Sequence, residues 1–168
     1  MSRLRTANLL GALAGEVNGR LEHELRRHPN QTDSAAAALN VLAWYDGCSN
    51  TRLSRILGLS HPATVRLADK LEAAGLVSSG AGADKRAVAL RLTEAGRSRA
   101  RAGLVARCEV LGEVLKPLSV REQAQFARLL EKLLAALPEN ADEAEHICRL
   151  CDDIACPAAR CPVHQAVL

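Results

Sequence analysis

A mainly α fold carrying one β-hairpin is what the sequence predicts, and three observations predict it. Aromatic residues are nearly absent: Trp44, Tyr45 and Phe126 are the only ones in 168 residues, so the core has to be built from Leu, Ala and Val, which pack well between closely spaced helices. Apolar residues recur at spacings of three and four over much of the chain, the period of one helix face. That period changes once, where Leu76-Val77 and Val88, Leu90, Leu92 flank a glycine-rich loop as two short strands would. With 48% apolar residues, the chain can bury the core of one domain, or of one domain plus an appendage.

The elements follow in order. Leu10, Leu13, Val17, Leu21 and Leu25 draw one stripe along a first helix of about 25 residues. Arg27-His-Pro-Asn-Gln-Thr-Asp33 ends it, and Thr32 or Asp33 can cap a second, Ala-rich helix that reaches Tyr45. Asp46-Gly-Cys-Ser-Asn50 breaks that one. A short helix from Thr51 meets a tight turn at Gly58-Leu59-Ser60, and a further helix starts with Ser60 as cap and Pro62 in its first turn, where no backbone donor is missed. Gly75 stops it. After the hairpin, Thr93 caps a long helix reaching about Lys116, which Pro117 interrupts. Ser119 and Glu122 form a capping box for the next, whose apolar side is Phe126, Leu130, Leu133, Leu134 and Leu137; Pro138 closes it. Trp44, Tyr45 and Phe126 are expected in the core.

Charge and composition narrow the function classes. Net charge is only +3, but residues 50–92 hold seven Lys or Arg against three acids, whereas residues 139–168 hold two Arg against six acids. The basic middle suits phosphates and the acidic end does not. No apolar run approaches the roughly 18 residues needed to cross a bilayer, and the first residues lack the pattern of a secretory leader, so a cytoplasmic protein without a membrane partner is expected. No Gly-rich cofactor loop and no nucleophile-base constellation stands out, which argues against an enzyme.

Two short helices joined by a glycine-containing turn, the second rich in small, polar and basic residues, outline a helix-turn-helix. A hairpin with Lys85 and Arg86 near its tip makes it a winged one, with the second helix suited to the major groove and the wing to phosphates or the minor groove. Here the chain resembles the MarR family of bacterial transcriptional regulators. Asp84-Lys-Arg86-Ala-Val-Ala-Leu90-Arg-Leu92-Thr93-Glu-Ala-Gly96 is similar to that family's D-x-R-x-x-x-L-x-L-T-x-x-G wing signature, and the segment from Leu57 to Val77 resembles its recognition helix. The resemblance spans about Leu10 to Leu137. It implies a homodimer in which residues 1–30 and 93–137 form a helical dimerisation region and residues 33–92 a winged helix-turn-helix, reading a pseudo-palindromic operator in double-stranded DNA.

On that reading Ser60, His61, Ala63, Thr64, Arg66 and Lys70 face DNA from the early turns of the recognition helix, with Arg66 the best base reader, while Val65, Leu67, Ala68 and Leu71 face the core. Lys85 and Arg86 serve the wing, Arg86 as the family's wing arginine with Asp84 holding the wing in place. Family members commonly carry basic residues just before the wing; Ser78-Ser-Gly-Ala-Gly82 here does not. The resemblance also allows a small aromatic acid as effector.

Residues 139–168 form a cysteine-rich tail. Cys148, Cys151, Cys156 and Cys161 follow a C-x2-C-x4-C-x4-C-P spacing, and four thiolates so close together suit one metal centre. Uneven spacing ending in Cys-Pro favours an iron-sulfur cluster. Zinc is the alternative, with His146, His164, Asp152 or Asp153 as possible substitute ligands; free thiols or a reversible disulfide switch are the remaining readings. A centre beside the dimerisation helices is expected to link metal or redox state to the spacing of the DNA-reading lobes. A cluster-based electron carrier is a less favoured alternative. Cys48 and Cys108 stand alone, the latter expected as a small buried hydrophobe.

Overall fold

The computed structural model describes residues 2–27, 32–81 and 88–168. The chain forms α1 (Arg3–Arg26), α2 (Asp33–Trp44), β1 (Cys48–Ser49), α3 (Asn50–Leu57), α4 (His61–Ala73), β2 (Val77–Ala81), β3 (Val88–Leu92), α5 (Glu94–Leu115), α6 (Val120–Leu134), α7 (Ala141–Cys148), a 3-10 turn (Ala158–Arg160) and α8 (Pro162–Gln165). It is mainly α with a winged helix-turn-helix, as expected. The predicted caps are in place: Thr32, Ser60 and Thr93 each accept from the backbone N–H three residues on, and Ser119 and Glu122 form the reciprocal box.

The hairpin β2–β3 pairs Val77 with Leu92 and Ala81 with Val88. Sequence reasoning missed β1, which adds to the other edge of β3 and pairs Cys48 with Leu90; two residues are too few for a period to show. The sheet and helices α2, α3 and α4 enclose one core built on Leu39, Val41, Leu53, Ile56, Leu71 and Leu90. Thr93 ties its parts together, donating its hydroxyl to the Gly75 carbonyl at 2.6 Å while capping α5. Gly96 follows for a steric reason. A Cβ there would collide with the Leu76 carbonyl, so the close approach of α5 to the start of β2 requires glycine.

Neither α1 nor α6 contains a buried residue. The stripe along α1 is half-covered by α5 at Val17, Leu21 and Leu25 but open at Leu4, Leu9, Leu10 and Leu13, and α6 leaves Leu129, Leu130 and Leu133 exposed. Apolar faces of that extent need a partner surface.

Two expectations are corrected. Trp44, Tyr45 and Phe126 are only half-buried: Tyr45 packs against the edge of the lobe's core, and Phe126 lies on α6, outside that core. Cys108 is exposed, since α5 turns only Gly96 fully inward. In the tail, Asn140 caps α7, accepting from the Glu143 N–H at 3.0 Å.

Candidate functional site

The first candidate surface is α4. Its N-cap Ser60 accepts from the Ala63 N–H at 3.4 Å, and the preceding turn closes at Gly58, whose φ of 65° only glycine adopts readily. Thr64, Ala68 and Leu71 share one face of the helix by their i, i+4, i+7 spacing and are buried. The opposite face presents His61, Arg66 and Lys70, all exposed and with no ion pair among the described residues; Asp69 is exposed beside them.

Thr64 is therefore a correction. Expected to face DNA, it is 0% exposed, with its hydroxyl donating to the Ser60 carbonyl at 3.2 Å; the phase of the helix puts it on the core stripe. Ala68 and Leu71 face inward as expected, while Val65 and Leu67 are half-buried and Ala63 lies at the border. Near the end of α4, Glu72 accepts from the hydroxyl and N–H of Ser79 in β2 at 2.8 and 3.0 Å, which holds its carboxyl below its usual pKa. Lys85, Arg86 and Asp84 lie outside the described residues.

The second candidate is the tail. Cys148, Cys151, Cys156, Cys161 and His164 all line one cavity of about 250 Å³, which Trp44 and Tyr45 also border. Cys148 and Cys161 are 4% and 3% exposed with their sulfurs 3.6 Å apart, and their Sγ atoms and a His164 ring nitrogen all lie within 4.8 Å of one another. Cys151 and Cys156 sit at the mouth, exposed. Nδ1 of His164 is buried without a hydrogen-bond partner among the described residues, an orphaned donor or acceptor of the kind that needs an explanation.

The thiols share charge unequally. A hydrogen bond from Cys148, aided by Arg107, His164 and Arg149, lowers the Cys151 pKa to about 7 against the opposing effect of burial. Burial raises Cys161, but the neighbouring His164 ring and the backbone N–H groups of His164 and Val163 bring it down to about 7. Cys148, donating toward Cys151 and desolvated, is pushed well above the ordinary thiol value; burial and the charge of Cys161 push Cys156 up to about 11. Soft thiolates and one imidazole around a common point are a donor set for a metal ion.

The tail does not stop at the pocket. From α7, His146 places Nδ1 2.8 Å from the Ile56 carbonyl in α3; a carbonyl only accepts, so that nitrogen carries the proton. His146 is thereby tied to α3 and is not among the residues of the pocket. Glu145 accepts from Arg52 at 2.8 Å and from the Tyr45 hydroxyl at 3.2 Å, with the Arg52 guanidinium 3.9 Å over the Tyr45 ring. Burial works against the Arg52 charge, yet Glu145 holds its pKa above the ordinary value. Asn40 of α2 donates to the carbonyls of Arg149 and Cys151, both at 3.0 Å. The expectation of a tail beside the dimerisation helices is thus half of the outcome: it also seats on the DNA-reading lobe.

Comparison with known proteins gives the setting. Residues 31–87 match the sequence model of the MarR family. No curated protein sequence matches the chain. Among solved structures it is similar to a MarR family protein from Bacillus stearothermophilus, at 29% identity and a TM-score of 0.69 over 79% of this chain and 95% of that one. It is also similar to a probable transcriptional regulator from Pseudomonas aeruginosa, at 28% identity and a TM-score of 0.58 over 73% and 95%. A MarR family protein from Mycobacterium tuberculosis in complex with salicylic acid is similar at 27% identity and a TM-score of 0.59 over 74% and 93%. No described helix is long and apolar enough to cross a membrane.

Proposed function

We propose that the chain is a homodimeric, sequence-specific DNA-binding transcriptional regulator whose C-terminal tail holds a metal centre and conveys metal or redox status to DNA binding. The observation that carries the first part is the α4 surface, where a capped helix backed by a buried stripe offers His61, Arg66 and Lys70 without an ion pair among the described residues. Free donors on a rigid helix suit base edges and phosphates, and a MarR-type match over residues 31–87 supports the same use. The family match also favours a binding protein over an enzyme or an electron carrier. The open apolar faces of α1 and α6 support a dimer, whose two-fold symmetry would be mirrored by a pseudo-palindromic operator.

Two fillings compete for the pocket. A four-iron cluster binds each of its thiolates to a different iron and so keeps them well apart. A single tetrahedral metal with metal-sulfur bonds near 2.3 Å sets sulfurs about 3.8 Å apart, close to the 3.6 Å between Cys148 and Cys161. That separation fits a mononuclear ion such as zinc, or two thiolates on one iron of a two-iron cluster, better than a four-iron cluster. Cys148, Cys151, Cys156 and Cys161 would hold it, with His164 at hand as a replacement. Iron, sulfide and zinc measured on protein purified without oxygen decide between them: one zinc per subunit without iron supports the single ion, iron with sulfide restores the cluster, and neither removes the metal centre. Sedimentation and anisotropy with a duplex selected from a random library test the rest; a monomer that binds that duplex tightly would remove the dimeric reader.

A second reading has its own observation. A cavity between α1, α2 and α5 is lined by Leu21, Leu25, Leu39 and Leu104, with the cations Arg99 and Arg107 and the acids Glu24 and Asp33, a mainly apolar cleft with mixed charge. The salicylic acid complex of the similar mycobacterial protein supports a small aromatic acid there, with the tail as a structural zinc staple. Salicylate titrated against the protein-DNA complex tests it; release of the duplex at submillimolar ligand would favour this reading.

A further inference from the structure

We infer that the tail is a clasp: an ion held in the thiolate pocket fastens the DNA-reading lobe to the C-terminal helix α6, so that occupancy sets how freely the turn of the helix-turn-helix moves. This rests on the reading of the pocket as a metal site and adds the route by which it acts.

The four cysteines belong to two anchored segments. Cys148 and Cys151 stand on the side bound to the reading lobe. Cys148 ends α7, and Glu145 and His146, within one turn of it, grip Arg52, Tyr45 and the Ile56 carbonyl. The carbonyls of Arg149 and Cys151 are held by Asn40 of α2, and Leu150 packs against the lobe's own core. Cys156 and Cys161 stand on the other side. Cys161 leads directly into α8, which packs on α6, and its small core of Ala144, Cys148, Cys161 and Val163 is closed by Leu134 at the end of α6. An ion that takes thiolates from both pairs joins the two sides through bonds of fixed length. As each thiol binds, its proton leaves to solvent and the sulfur's lone pair forms the bond to the ion, so the clasp closes without any oxidation or reduction.

The grip ends at the turn. His146 lies against Gly58, where a Cβ would come within 3.0 Å of its Cε1, and Gly58 is the residue whose left-handed backbone swings the chain from α3 into α4. Holding α7 therefore holds the hinge between the two helices of the reader. Coupling of this kind needs two ligand-biased arrangements of one contiguous element, and α7 is that element.

The test uses the full-length dimer and Zn(II) alone. Amide hydrogen exchange is followed in residues 53–59 and in residues 144–165, with and without zinc. Wild-type protein is expected to slow exchange in both segments, in residues 53–59 by at least about fivefold, the low end of ordinary coupling. In the double variant Glu145→Gln, His146→Ala, zinc stoichiometry should stay the same and residues 144–165 should still slow, while the response of residues 53–59 falls below about twofold. Glu145→Gln alone, which keeps the side chain's shape, should give an intermediate response. Zinc bound by the wild type without slowing in residues 53–59, or equal slowing there in all three proteins, would overturn the clasp and leave the metal site standing. Zinc bound by none of the three would overturn the metal site, and the clasp with it.

Discussion

The reading lobe and the tail are built on opposite plans. Among the described residues, the lobe's apolar core cluster holds fifteen residues from three helices and a sheet; the tail's holds four, two of them cysteines. Burial of apolar surface at about 25 cal/mol per Å² is enough to hold the first together without help. It contributes far less to the second, whose order comes from its hydrogen bonds to the lobe, from α6 and, on the proposed reading, from an ion that joins its thiolates. The difference separates a rigid lobe from a part whose stability is open to control, as the proposed sensing role requires.

The comparison can be broken most severely from the lobe. Leu53 is fully buried in its centre, and Leu53→Ala should lower global stability by about 2 to 5 kcal/mol, read by denaturant unfolding. A loss below about 1 kcal/mol would show that the lobe's core does not carry it. Next comes the tail. Stripping metal by chelation should lower the stability of the loaded tail by about 2.7 kcal/mol where free ion stood at a hundred times its dissociation constant, with the lobe's own unfolding left in place; a calorimetric trace in which both melt together would erase the division.

Within the lobe, two neighbours on α4 should behave differently. Arg66→Ala should cost about 1 to 3 kcal/mol on the selected duplex and relax preference at one base pair, with stability unchanged. Thr64→Ala should instead leave base preference alone and reduce stability by about 1 kcal/mol, through the lost buried hydroxyl and methyl. A shift in base preference with Thr64→Ala would return that residue to the DNA face.

The finest distinction is chemical. In metal-free protein the alkylation of exposed Cys151 should rise with pH around a midpoint of about 7, as the thiol becomes the reactive thiolate, while buried Cys148 stays protected. Because the folded value lies below the ordinary thiol pKa, deprotonation of Cys151 favours the folded tail as pH climbs past about 7, and that gain is lost as pH falls back through it. A midpoint above 8.5 would show that the neighbours of Cys151 do not stabilise its charge.

Much of this molecule is written locally. The caps at Thr32, Ser60, Thr93 and Ser119, the stop at Gly75 and the change of period after Leu76 are decided by a residue and its neighbours three or four positions away. The sequence by itself therefore determined α1 to α6, the hairpin and the clustering of the cysteines, but not the tail's helices α7 and α8. Tertiary structure alone decided the rest. Thr64 turns inward because the phase of α4 is set by the core it packs on, which the helix's own composition does not state. The pairing of β1 needed β3, forty residues away in the chain. Asn40 meets the carbonyl of Arg149 across 109 positions, and His146 finds Ile56 across 90. Such contacts carry no periodic trace in the sequence, because their partners are brought together by the packing of whole elements; that is why the tail's seat on the reading lobe emerges only from the folded chain.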